Sequence, residues 1–216
     1  MLTYYHKIDA PFLRSEDGAK QLMFGQYRDE TVKYLKDNLW VFTEKVDGTN
    51  IIVYWDGHKV SVHGRTPRAE IPAPLMEYLT KTFLTPEVEE LFEQKFGEKE
   101  VHLYGEGYGD KIQNVGKLYR DDNSFILFDV MVGTTWLDRA NVADVAKAFG
   151  VQVTPIIGYG TLEDAIRYVK EQHKSMVDKK EAPMEGLVIR PAIELKDKCG
   201  HRVIVKIKVH DFCENV

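Results

Sequence analysis

Residues 40–63, WVFTEKVDGTNIIVYWDGHKVSVH, decide the fold class. Trp40 to Val46 alternates between apolar and polar positions, the period of a half-buried strand. A turn follows, and Asn50 to Trp55 is a second strand-like run. Asp56-Gly57 then makes a tight connection to Lys59–His63. Asp-Gly between alternating runs is a strong hairpin signal, because both residues tolerate the positive φ such turns need.

Working outward, Pro74 to Phe96 carries helical spacing: Leu75, Leu79 and Phe83, then Val88, Leu91 and Phe92. Pro86 starts the second of these helices, since proline is tolerated in a first turn. Val101 to Gly105 reads as a strand. Ser124 to Val132 reads as a nearly all-apolar, buried one. Asp138 to Phe149 is a helix that Gly150 closes, and Leu162 to Val177 is a second amphipathic helix. Gly186 to Arg190 and Arg202 to Val209 are strands. In the last, Val203, Val205, Ile207 and Val209 face one way, and Arg202, Ile204, Lys206 and Lys208 the other. Hairpins with segregated helices predict an α+β fold with antiparallel sheets. No low-complexity linker, repeat or composition shift marks a boundary, so the expectation is a single domain over residues 1–216.

The 216 residues are 44% hydrophobic and 29% charged, ordinary for a globular chain. A net charge of −5 argues against bulk electrostatic binding to nucleic acid. It leaves room for local basic surfaces. One candidate is Lys111, Lys117 and Arg120; the other is Lys196, Lys198, Arg202, Lys206 and Lys208. Two cysteines, Cys199 and Cys213, are too few for a disulfide framework. A reducing, cytoplasmic compartment is expected. Met1 to Phe12 lacks the apolar run of a signal peptide, and no stretch is long and apolar enough to span a bilayer.

Several motifs fail on inspection. Gly116-Lys117 has neither the glycine spacing nor the Ser or Thr of a P-loop, and Gly105, Gly107 and Gly109 do not complete GxGxxG because Asp110 holds the last position. There is no HExxH or CxxC, and the seven histidines are scattered.

Taken alone, Glu44-Lys45-Val46-Asp47-Gly48-Thr49-Asn50 is a hairpin with a lysine at its rim. Four further segments change that reading. Tyr104 to Gly109 sets Glu106 among three glycines at a strand end. Phe125 to Val130 contains Phe128-Asp129. Glu185 to Arg190 opens a strand with a carboxylate. Lys206-Ile207-Lys208 puts two ammonium groups on one sheet face.

In this order the five segments resemble the motifs of the covalent nucleotidyltransferase superfamily, which contains polynucleotide ligases and mRNA capping enzymes. The resemblance runs from about Glu44 to Lys208. The Thr49-Asn50 ending is similar to RNA ligases, where DNA ligases and capping enzymes usually carry Arg at the position of Asn50. The closest similarity is to the RNA ligase 2 family, which includes the kinetoplast RNA editing ligases. It implies an ATP-grasp-like adenylyltransferase domain of antiparallel sheets flanked by helices. It also implies an ATP-dependent RNA ligase using magnesium or manganese, acting on nucleic acid ends or nicks, and expected to be a monomer.

The roles it implies fall on particular residues. Lys45 is the nucleophile that takes AMP, with Lys206 and Lys208 contacting the α-phosphate and Asp129 an essential acid. Glu44 reads the adenine, Phe128 stacks on it and Glu106 binds a ribose hydroxyl. Asn50 and Arg65 hold phosphates, with Arg68 close enough to Arg65 to be confused with it. Glu185 helps bind the metal. A lysine attacks only when neutral, and holding an unperturbed one neutral at pH 7 costs ~4.6 kcal/mol. Neighbouring cations reduce that cost. Many relatives carry a further OB-like or helical domain after the last lysines, and the expectation is that none is present here. The rival readings are a minimal ATP-dependent DNA ligase, a capping guanylyltransferase and a silent nucleotide- or RNA-binding module.

Overall fold

The computed structural model describes residues 1–17 and 20–212; Cys213 lies outside them. In chain order the strands and helices begin with β1 (Phe12–Arg14), β2 (Leu22–Tyr27), α1 (Glu30–Leu35), β3 (Trp40–Lys45), β4 (Thr49–Trp55) and β5 (Val60–Gly64). Next come α2 (Ala73–Phe83), α3 (Pro86–Phe96), β6 (Val101–Gly109), α4 (Gly116–Tyr119), β7 (Asn123–Val132) and β8 (Thr135–Trp136). The chain continues with α5 (Arg139–Ala148), β9 (Gln152–Val153), β10 (Ile156–Gly160), α6 (Leu162–Lys170), β11 (Gly186–Pro191) and β12 (Val205–Lys208). The fold is α+β with mainly antiparallel sheets, as the patterning predicts. Among the described residues no helix is long and apolar enough to cross a membrane.

The chain forms two compact units. The first comprises Met1–His6, Asp47–Thr154 and Asp178–Ala182. Its sheet runs β5-β4-β6-β7-β8, with β9 beside β7. One face, carrying Ile51, Val53, Leu103, Phe125, Leu127 and Val130, packs on Leu75, Leu79 and Phe83 of α2, Phe92 of α3 and Val142 of α5. The other carries Ile52, Tyr54, Tyr104 and Met131, with Leu2, Tyr4 and Tyr5 of the N-terminal segment laid over it.

The second unit comprises Lys7–Val46, Pro155–Val177 and Pro183–Val216. Its sheet runs β10-β3-β11-β12. Trp40, Phe42, Leu187, Ile189, Val205 and Ile207 face α1 and α6 and form its core.

Two predicted elements end differently. The helix expected over Leu162–Val177 stops at Lys170. Gln172 takes a left-handed φ of 54°, which an α-helix cannot continue, and the chain beyond it is drawn to Glu44. The strand expected from Arg202 begins at Val205. Arg202 instead bonds Glu194 through Nε, at 2.5 Å, and Val203 and Ile204 are buried.

Candidate functional site

In the second unit, strand register assembles one group of residues. Lys45 on β3 sits opposite Gly186 on β11, and Gly186 sits opposite Lys208 on β12. The next row holds Thr43, Val188 and Lys206. Alternation puts Lys45, Lys206 and Lys208 on the face away from the core, because Phe42, Leu187, Ile189, Val205 and Ile207 occupy the core face. Gly186 is required in the middle. A Cβ there would lie 2.1 Å from the Ile207 carbonyl oxygen and 2.8 Å from Lys208 Cα, so only glycine lets β12 pair this closely beside the two lysines. The Glu185 carboxylate ties them together: Oε2 is 2.5 Å from Lys45 Nζ and Oε1 is 2.6 Å from Lys208 Nζ. Side-chain exposures of 22% for Lys45 and 15% for Glu185 place this pair at a partly desolvated rim.

Glu44 behaves differently from its neighbour. Being one residue from Lys45, it points to the opposite side of β3 and is 1% exposed. Its Oε1 accepts from the Ser175 hydroxyl. Its Oε2 accepts from the Met176 backbone N–H at 2.8 Å. Burial pushes the Glu44 carboxyl up, and the two hydrogen bonds oppose that. The structure therefore joins Glu44 to residues 175–176 and separates its side chain from the Lys45 row.

The first unit presents a second group. Asn50 on β4 pairs with Glu106 on β6, on the same face as Ile52 and Tyr104. The turn before them is tightly held. A Cβ on Gly48 would lie 2.3 Å from the Gly107 oxygen and 2.7 Å from Glu106 Cγ, and Gln113 Nε2 donates to the Gly48 carbonyl at 2.9 Å. The buried Oδ1 of Asn50 has no hydrogen-bond partner, an orphan that a ligand donor would satisfy.

Phe128 and Asp129 reach this face through a β-bulge. Gly105 pairs with Leu127 and Tyr104 with Asp129, so Phe128 is an extra residue in β7. The insertion resets the alternation: Phe125 and Leu127 before it, and Val130 after it, all pack in the core. Phe128 and Asp129, although consecutive, both contact Tyr5. The Tyr5 hydroxyl donates to Asp129 Oδ2 at 2.8 Å, and its ring meets Phe128 edge-on at 5.0 Å. Bulges often re-aim side chains next to active sites. Here the Phe128 carbonyl, displaced from the ladder, accepts from Arg139 at 3.3 Å.

Arg65 follows β5 and is exposed, as is Arg68. The β4–β5 ladder ends at the pair Ile51–Gly64, with Arg65 the next residue after β5. Of the basic surfaces, Lys111, Lys117, Lys196 and Lys198 are exposed. Arg120 is committed to Asp122 and Asp178. Tyr5 and Arg139 carried no sequence signal. Tyr5 meets its carboxylate 124 residues along the chain, and no motif spans such a gap.

Comparison with known proteins places these observations. A family model described as RNA ligase matches residues 38–208. Among solved structures, a Naegleria gruberi RNA ligase lysine-to-methionine variant with AMP and Mn superposes with a TM-score of 0.60 at 20% identity, covering 83% of this chain and 52% of that one. A lysine-to-alanine variant of the same ligase with ATP and Mn gives 0.60 at 20% identity, over 83% and 52%. The ligase with PPi gives 0.61 at 21% identity, over 83% and 52%. At such identity the likeness is one of fold, and the chain spans about half the length of these proteins. No curated protein matches the sequence.

Proposed function

The chain belongs to the RNA ligase family, and on that basis we propose that it is an ATP-dependent RNA ligase whose nucleophile is Lys45. The observation that carries this reading is the Lys45–Gly186–Lys208 row bridged by Glu185. A nucleophilic lysine flanked by cations on a half-buried sheet face suits attack on a phosphorus bearing several negative oxygens.

The reaction has three steps. The Lys45 amine attacks the α-phosphorus of ATP; an N–P bond forms, the bond to pyrophosphate breaks, and lysyl-AMP results. AMP then passes to the 5′-phosphate of a strand, freeing Lys45. A 3′-hydroxyl attacks that activated phosphate, AMP leaves, and the strand is sealed. Lys206 and Lys208 hold the α-phosphate oxygens and offset the charge that gathers there. Phe128 stacks on the adenine, Glu106 accepts from a ribose hydroxyl, Asn50 and Arg65 hold phosphate oxygens, and Asp129 supports Phe128 as its acidic neighbour. The resemblance gives Glu44 the reading of the adenine, although its carboxylate accepts from Ser175 and the Met176 N–H on the side of β3 away from Lys45. We take residues 1–216 as one nucleotidyltransferase domain.

Glu185 is a suitable ligand for magnesium or manganese, both of which favour carboxylate oxygen. Among the described residues no three His, Cys, Asp or Glu side chains gather as a metal site, so Glu185 would be the residue to hold the ion. Such an ion supplies charge neutralisation at the phosphates. For Lys45 to attack, its amine must give up a proton and leave Glu185.

The test is incubation with α-labelled ATP and magnesium followed by a denaturing gel. An acid-labile label on the wild type and none on Lys45→Ala is expected. Equal label on both proteins would sink the assignment. Nicks of RNA, DNA and mixed composition then establish the strand preference.

A further inference from the structure

The face of the second unit's sheet that carries Lys45 continues beyond the two lysine rows. On β11, Arg190 pairs with Val41 of β3. On the other side of β3, Val41 pairs with Tyr159 of β10. Tyr159, Val41 and Arg190 thus form a third row, on the same face as Lys45 because Val41 and Lys45 are four residues apart on one strand. At ~3.4 Å per residue this row lies about 14 Å along the strand from Lys45.

Tyr159 reaches this face through a local irregularity. Ile156 pairs with Thr43 and Gly158 with Phe42, so Ile157 is an extra residue in β10. Ile157 packs with the helix-covered core. A Cβ on Gly158 would point at the Phe42 ring, 3.8 Å away, so that position also belongs to the core side. Without the insertion, alternation would send Tyr159 into the helices. With it, Tyr159 stands on the Lys45 face and is 59% exposed, beside Ile156 at 40%. β10 is an edge strand, so a bulge there also leaves the tyrosine approachable. The ladder positions of this face carry Lys45, Lys206, Lys208 and Arg190, with the Glu185 carboxylate at its end. Val41 in the middle of the row is buried, so the row offers an exposed aromatic at one end and a half-buried cation at the other, which complements a strand that offers bases to stack and phosphates to neutralise.

We propose that the Tyr159–Val41–Arg190 row is a docking surface for single-stranded RNA, with one base stacked on Tyr159 and a backbone phosphate held at Arg190. The surface rests on the ligase reading above and adds to it the path of the strand. At the stacked spacing of ~3.4 Å per nucleotide, a strand whose end reaches Lys45 meets Tyr159 about four nucleotides away. The stacking role requires the ring and not its hydroxyl.

The experiment compares wild type, Tyr159→Ala, Tyr159→Phe and Arg190→Ala. Binding of a fluorescently labelled, 5′-phosphorylated single-stranded RNA is measured by anisotropy across a salt series. Each protein is also assayed for label uptake from α-labelled ATP. Tyr159→Ala is expected to bind RNA roughly tenfold more weakly, Tyr159→Phe to bind as wild type, and both to take label as wild type does. Arg190→Ala should flatten the dependence of log affinity on log salt by about one phosphate contact. The proposal is overturned if wild type does not bind the RNA, if Tyr159→Ala binds as well as wild type, or if Tyr159→Phe loses as much as Tyr159→Ala. Loss of label uptake in Tyr159→Ala would place the residue in the nucleotide site and overturn it too. A wild type that takes no label, with RNA binding still dependent on the Tyr159 ring, would instead overturn the ligase reading and leave the surface standing.

Discussion

Lys45 Nζ lies 2.5 Å from Glu185 Oε2, so the proposed nucleophile is held in an ion pair. Glu185 holds Lys208 with its other oxygen, and one carboxylate therefore sets the spacing of two cations that must serve one phosphate. Glu185→Gln keeps the shape and removes the charge. Label uptake from ATP should fall about a hundredfold, the scale of losing one preorganised electrostatic contact. Gel-based rates check this, with circular dichroism confirming an intact fold.

Gly186→Ala tests the close pairing of β11 and β12 beside the lysines. The new methyl would meet the Ile207 carbonyl at 2.1 Å, forcing β11 and β12 apart. The expected cost is about 1–3 kcal/mol, typical of overpacking, read from urea denaturation. Label uptake should fall further than the stability loss explains, because Lys208 moves away from Lys45.

Tyr5→Phe removes one hydroxyl from a fully buried carboxylate. Asp129 is 0% exposed, and losing the 2.8 Å bond from Tyr5 should cost about 1–3 kcal/mol. The ring contact with Phe128 survives, so the variant separates the placement of Asp129 from that of Phe128. A higher KM for ATP, measured by label uptake against ATP concentration, is the expected signature.

His102 makes stability depend on pH. It is 1% exposed, and burial pulls its pKa from 6.5 to about 4. Its Nε2 accepts from the Thr3 N–H at 2.9 Å, a contact only the unprotonated ring nitrogen can make. Between those pH values the unfolded chain binds the proton and the folded one does not. Stability therefore rises with pH across that window and is lost on acidification, by on the order of 3 kcal/mol in total. Denaturation midpoints of wild type and His102→Phe between pH 4 and 7 check this; the variant should lack the slope.

Glu44→Gln replaces one of the two carboxylate oxygens by an amide N–H₂, which only donates: the bond from the Met176 N–H survives on the remaining oxygen, while the bond with the Ser175 hydroxyl must reverse direction and loses its charge. A loss of about 1–3 kcal/mol is expected, with Ser175→Ala reproducing part of it. If Glu44 also reads the base, Glu44→Gln alone will change the preference for ATP over GTP in label uptake.

The fold class was legible because hydrophobic periodicity is local. β3, β4 and β7 follow from alternation or apolar runs within a few residues. The separation of Lys206 and Lys208 from the core follows from the same period of two. The bulges at Phe128 and Ile157 were not legible. Each depends on which residue of a distant strand lies opposite, and a one-residue insertion leaves no compositional mark. The C-terminal part of the helix expected to Val177 was misread for a related reason. Its apolar spacing continues past Lys170, but Glu44 captures Ser175 and Met176 through tertiary hydrogen bonds that outweigh helical preference. Tyr5 was invisible for want of any local pattern, and the alternation of β3 itself sets Glu44 apart from Lys45.

The row formed by Lys45, Gly186 and Lys208 also has a consequence in time. Synthesis adds residues at about 5–20 per second, so a growing chain carries Lys45 for several seconds before Glu185 and Lys208 exist. Contacts so distant along the chain form late, because the entropy of closing the intervening loop must be met first. The Lys45 amine meets Glu185 and Lys208 only when β11 and β12 have paired, so the proposed reaction with ATP must wait for this sheet to be complete.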